Sequence, residues 1–113
     1  VLAAASKDVR ALEVADRLLA LSPEDPEAHR LRADCLVGAM RHGEAVVAYE
    51  EVIHHLPDDP QAWLSLGRTL RQLRRVGEAR MALAKALSLA DHGGALEITA
   101  QARELLAKLP PSG

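Results

Sequence analysis

Four arginines crowd one short stretch of the chain, at Arg68, Arg71, Arg74 and Arg75. A guanidinium presents a rigid fork of N–H donors that grips a carboxylate through paired hydrogen bonds. On a helix, Arg68 and Arg71 are three apart and Arg71 and Arg75 four apart, so each pair shares a face. Two readings follow: a solvated helix end whose cations suit the negative pole of the dipole, or a basic patch that receives an acidic segment. Charge is also uneven around the patch. Residues 26–59 hold seven acidic and three basic side chains, whereas residues 60–91 hold two acidic and six basic.

Other reactive side chains lack the spacing that chemistry needs. His54 and His55 are adjacent; on a helix they point about 100° apart and cannot chelate together as an i,i+4 pair would. Neither HExxH nor paired CxxC occurs, so the histidines are expected at surfaces and helix ends, with no metal site. Cys35, between Ala33 and Leu36, reads as a small buried residue rather than a reactive thiol. Glu50 and Glu51 are helix neighbours, not a facing acid–base pair, and Asp58 and Asp59 serve a turn and a cap. Gly93-Gly94 before a helix is a weak anion cradle and a better linker. No nucleophile elbow or phosphate loop is present. The chain is expected not to be an enzyme, and no cofactor is implied.

The bulk numbers narrow the class further. At 113 residues the chain is expected to be one domain with a modest core. A hydrophobic content of 49% argues against disorder. Aromatics are only 2%, without Phe, so Leu and Ala carry the interior, which suits closely packed helices better than strands. A net charge of -2 gives no global pull toward nucleic acid or membrane. Aromatic platforms for single-stranded nucleic acid are also missing, because Trp63 and Tyr49 are expected in the core. One cysteine makes no internal disulfide. No apolar run approaches the roughly 20 residues of a membrane span, and Val1–Ala5 lacks a signal peptide's charged leader. The chain starts without Met and in mid-repeat, so it is expected to be a piece of something longer, with the cytoplasm as the default compartment.

The elements that must carry the arginines are spelled out by punctuation. Asp25-Pro26 recurs as Asp59-Pro60, each an N-cap followed by proline at the first helical position. Helices are expected at about 7–21 (with Ser6 as cap and Asp8 in the first turn), 26–40, 43–56, 60–74, 77–90 and 95–109. Gly43 and Gly77, each followed by Glu-Ala, are expected to supply the backbone freedom at the hairpin turns. The last helix keeps apolar spacing at Leu96, Ala102, Leu105, Leu106 and Leu109 and is expected to cover an exposed end. Pro110–Gly113 reads as a frayed stop.

These units repeat. Pro26 and Pro60 are 34 residues apart, and Ala33/Gly67, Leu36/Leu70, Ala45/Ala79, Tyr49/Leu83 and Val52/Ala86 follow at the same offset. Trp63, Leu66, Gly67, Leu70, Ala79, Leu83 and Ala86 have the spacing W-x2-L-G-x2-[Y/L]-x8-A-x3-[F/L]-x2-A, which resembles the tetratricopeptide repeat, a helix–turn–helix unit. Residues 26–59 match less well, with His29 for Trp, Arg32 for Leu and Ala33 for Gly; residues 1–25 resemble the second half of another unit through Ala11, Ala15, Leu18 and Pro23. The expected fold is therefore all-α. It comprises antiparallel helix hairpins stacked as a short right-handed superhelix, a single domain over 1–109 with a capping helix at 94–109.

The resemblance also implies a site. In this family, positions two, five, nine and twelve of each first helix line a concave groove. They fall here on Glu27, Arg30, Asp34 and Val37, and on Gln61, Leu64, Arg68 and Arg71. Arg30, Arg68 and Arg71 would hold carboxylates, Val37 and Leu64 would offer apolar contact, and Ile98 would extend the floor. The carboxylate clamp that some members use on chaperone tails is not expected, since Asp34 replaces its Asn and Leu31 and Ser65 occupy other clamp positions. The expected function is non-catalytic recognition of a partner peptide or helix of acidic character. The alternative is a module for self-assembly or for docking within a larger protein.

Overall fold

The computed structural model describes residues 2–111, with side chains from Arg10 onward. These residues form six α-helices and no strand: α1 (Leu2–Leu21), α2 (Pro26–Gly38), α3 (His42–His55), α4 (Pro60–Gln72), α5 (Val76–Gly93) and α6 (Leu96–Lys108). Their contacts gather into two compact units, Val1–Leu56 and Pro57–Gly113. In the first, α2 packs on both α1 and α3; in the second, α5 packs on α4 and α6, and α6 also touches α4.

Helix starts follow the expected chemistry. Asp25 Oδ1 accepts the Glu27 amide at 3.0 Å and Asp59 Oδ1 accepts the Gln61 amide at 3.0 Å. Each bond satisfies one orphan donor of the first turn, and Pro26 and Pro60 at the first helical position remove another. α1 departs from expectation. It begins at Leu2, so Ser6 and Asp8 lie inside the helix rather than at its cap and first turn.

The turns overturn the glycine assignment. Gly43 and Gly77 sit inside α3 and α5, and a Cβ on either would meet nothing within 4 Å. The left-handed residues are instead Met40 (φ 63°) and Arg74 (φ 59°). At the first turn the Arg41 amide donates to Leu36 O at 2.8 Å and the Met40 amide to Val37 O at 3.0 Å. At the second, Arg75 donates to Leu70 O and Arg74 to Arg71 O, each at 3.0 Å. This is the paired-bond helix ending that glycine usually serves. Gly94 (φ 72°) serves it at the end of α5, with Ala95 donating to Ala90 O. The left-handed conformation thus lies three residues before each glycine. Met40→Gly is therefore expected to raise stability by about 1 kcal/mol, since Met40 is 76% exposed and loses little packing. A urea titration followed by circular dichroism would read it as a higher midpoint at unchanged slope.

The expected small-and-large alternation holds in the core. Ala33, Leu36, Ala45, Tyr49 and Val52 are buried, as are their partners 34 residues on, Gly67, Leu70, Ala79, Leu83 and Ala86. Cys35 is buried too. Trp63 is only half-buried, and its indole N–H donates to Pro57 O at 2.8 Å. Exposed ion pairs brace both hairpin turns at the same repeat offset, Arg41–Glu44 at 2.7 Å and Arg75–Glu78 at 2.5 Å. The hydrogen bond from Arg75, with that cation's charge, holds the Glu78 carboxyl below its ordinary range. The chain end is less loose than expected. Arg80 donates to Pro110 O at 2.5 Å and Leu109 is buried; Ser112 and Gly113 lie outside the described residues.

A candidate peptide-binding surface

In the first unit, Glu27, Arg30, Asp34 and Val37 follow one another along one stripe of α2. Three of them already have partners inside the unit. Arg30 lies 3.7 Å from Glu27, and Asp34 accepts the Tyr49 hydroxyl at 2.5 Å, which ties α2 to α3. A bond to a charged acceptor contributes about 1.5–3 kcal/mol, so Asp34 is first of all a brace for the hairpin. Val37 is half-buried.

In the second unit, Gln61, Leu64, Arg68 and Arg71 occupy the matching stripe of α4. Leu64 has 0% exposure and is core, with no surface to offer a ligand. The physical reason is its neighbourhood: Ala62, Leu66 and Leu70 of the same helix are buried as well, so the apolar face is broader than the sequence spacing implied. Gln61 bonds Ser65 at 3.4 Å. Arg68 donates to Gln101 Oε1 of α6, so the last helix meets α4 on this stripe.

Arg71 and Arg74 stand apart from these pairings. Among the described residues neither makes an ion pair. Both line an open cleft of about 600 Å³ with Gln72, Val76, Lys108, Leu109 and Pro110. Three cations thus share the cleft with Val76, Leu109 and Pro110; none of these lining residues is a carboxylate, although Lys108 pairs with Glu104 at 3.0 Å one turn back on α6. Helix α4 supplies Arg71, its left-handed turn aims Arg74, and the last turn of α6 supplies Lys108, where a cation suits the dipole. Arg71 was legible in the sequence. Lys108, Leu109 and Pro110 were not, because only the return of α6 onto α4 and α5 sets them there.

Sequence comparison gives this architecture its family. A family model described as Tetratricopeptide repeat matches residues 10–53 and 36–93. The chain belongs to the tetratricopeptide repeat family. No curated protein matches the sequence. Among solved structures, the fold is similar to the type III secretion chaperone SycD of Yersinia enterocolitica, crystallised with a peptide of the translocator YopD. That pair has a TM-score of 0.84 and 19% identity, over 90% of this chain and 79% of that one. It is similar as well to PcrH in complex with the chaperone-binding region of PopD, with TM-score 0.85 and 19% identity over 91% and 78% of the two chains. A type III secretion complex from Aeromonas hydrophila gives 0.85 and 19%, over 91% and 69%.

Within the tetratricopeptide frame, the position of the signature Trp has one structural duty that both repeats perform. Trp63 Nε1 donates to Pro57 O at 2.8 Å, and His29 Nε2 bonds Pro23 O at the same distance. Each ties the first helix of a repeat back to the preceding turn. His29 therefore keeps the hydrogen bond of the missing indole while giving up its bulk. Among the described residues no helix is long and apolar enough to cross a membrane.

Proposed function

We propose that this chain is a non-catalytic protein-recognition module that holds an acidic peptide or helix of a partner protein. The observation that carries the reading is the cleft that Arg71, Arg74 and Lys108 share with Val76, Leu109 and Pro110, with no lining carboxylate. Arg71 and Arg74, which make no ion pair among the described residues, and Lys108, which is paired with Glu104 at 3.0 Å, lie beside apolar side chains and favour a ligand that alternates carboxylates with apolar residues. Family membership supports recognition as the class of function, and two of the similar folds were crystallised with segments of partner proteins. Arg68 and Gln61 would extend the surface along α4. On α2, Glu27, Arg30, Asp34 and Val37 would form a second surface, weaker for carboxylates because Arg30 and Asp34 already have partners.

Selection from a random displayed-peptide library on the immobilised chain tests this directly. Recovered sequences should be rich in Asp and Glu interleaved with Leu, Ile or Phe. Recovery of basic or charge-neutral sequences would contradict the reading.

One observation favours self-association as a second reading. Val14, Leu18 and Leu21 lie along one stripe of α1 at 50%, 41% and 83% exposure. An apolar helix stripe of this kind is a ready contact for a second copy. Light scattering across a concentration series should then show a mass that rises with concentration, and Leu18→Asp/Leu21→Asp should abolish the rise. A constant monomer mass would remove this reading.

A further inference from the structure

We propose that His29, Glu51 and His55 form a binding site for a divalent transition metal, with Zn2+ as the first candidate. One donor atom from each of the three lies within 4.8 Å of the others, all in the first unit. Glu51 and His55 are four residues apart on α3, and His29 reaches them from α2. His54 and His55 are adjacent and cannot chelate together. The pairing that matters is Glu51 with His55, one helical turn apart and on one face.

The state of His29 adds a second and independent observation. Its Nε2 lies 2.8 Å from Pro23 O. A carbonyl oxygen only accepts, so Nε2 carries the proton, and in the neutral ring Nδ1 keeps its lone pair. A metal-bound imidazole characteristically donates its other N–H to a backbone carbonyl or carboxylate, which fixes the tautomer and the ring plane. The bond to Pro23 thus leaves Nδ1 of His29 as the nitrogen available to a metal. Its ring lies 5.8 Å from that of His55, at an interplanar angle of 22°. Two imidazole nitrogens and a carboxylate gathered in one place suit a single cation.

Imidazole nitrogen with a single carboxylate selects Zn2+ and its first-row neighbours over Ca2+ or Mg2+, which take oxygen ligands. Tetrahedral coordination with Zn–N near 2.0–2.1 Å sets donors about 3.4 Å apart. The donors now lie within 4.8 Å of one another, so loading would draw them closer; Glu51 is exposed while both histidines are only half-buried. Three protein ligands leave a position of the ion for water or for an incoming donor. The ion would also join α2 to α3 near the open end of their hairpin, so loading should stabilise the fold.

Calorimetric titration of the full chain with Zn2+ tests the site. One ion per chain should bind, and the melting temperature should rise with Zn2+. His29→Trp is the most useful variant, because Trp63 shows that an indole there keeps the turn bond while it removes the ligand. His29→Trp, Glu51→Gln and His55→Gln should each weaken Zn2+ by at least about tenfold and lose the thermal shift, with unchanged helical circular dichroism. His92→Ala should bind as the native chain does, since His92 is on α5 and bonds Ser88 O. Visible spectra of the Co2+ form should lack thiolate charge transfer, which excludes Cys35 as a ligand. Absence of Zn2+ binding, equal affinity in the three variants, or a thiolate band would overturn the proposal.

Discussion

Gly67→Ala is expected to destabilise the chain by about 1–3 kcal/mol, although alanine is the better helix former. A Cβ on Gly67 would lie 2.6 Å from both Cγ and Cδ2 of Leu83 and 3.4 Å from its backbone nitrogen. Leu83 is fully buried and has no vacant space to enter. Helix propensity offers about 1 kcal/mol in favour of alanine. The overlap outweighs it because the branching carbon of Leu83, and not just a flexible tip, must move. Gly77→Ala supplies the contrast, since a Cβ there meets nothing within 4 Å and helix propensity acts alone. Leu83→Ala by itself should cost about 2–5 kcal/mol through the cavity it leaves. In the Gly67→Ala background it should cost clearly less, because the new methyl fills part of that cavity. Urea unfolding of the four forms measures the coupling. Additive costs would mean that the two helices do not meet as described.

Arg71→Glu/Arg74→Glu should weaken an acidic peptide at least about tenfold, or about 1.4 kcal/mol. Each arginine lines the cleft and neither makes an ion pair among the described residues, so the substitution removes attraction and adds repulsion without dismantling a network. Folding should change little at exposed Arg74, by about 0.5 kcal/mol or less, and somewhat more at half-buried Arg71, so helical circular dichroism of the variant is checked first. Part of the loss should vanish at high salt, because exposed charges are screened beyond about 10 Å at 0.1 M. Lys85→Glu, on the exposed side of α5, tests whether overall charge alone matters. Fluorescence polarisation with a selected peptide should show native affinity for Lys85→Glu and a large loss for the double variant.

Legibility followed physical range. Residues that answer to local rules were readable: Asp25 and Asp59 cap as their Asp-Pro sequence requires, and the small positions at Ala33, Ala45, Ala79 and Ala86 are buried as the repeat phase demands. The turns were misread because the left-handed conformation falls on Met40 and Arg74, residues that carry no turn signal of their own. Leu64 was assigned to a surface by its repeat position, yet its helix buries a wider face and takes it into the core. His29 looked like a lost tryptophan, whereas it preserves that residue's bond to the turn. What required tertiary structure was the meeting of distant segments. Lys108 joins Arg71 and Arg74 only through the return of α6, and Glu51 and His55 meet His29 only across the α2–α3 hairpin.

The most direct test of recognition at the basic cleft is an NMR titration of the isotope-labelled chain with an acidic, apolar-interleaved peptide. The largest amide shifts should cluster at Arg71, Gln72, Arg74, Val76 and Lys108, with Leu109 alongside. Shifts confined to the exposed apolar residues Val47 and Met81, or spread without a cluster, would contradict the account.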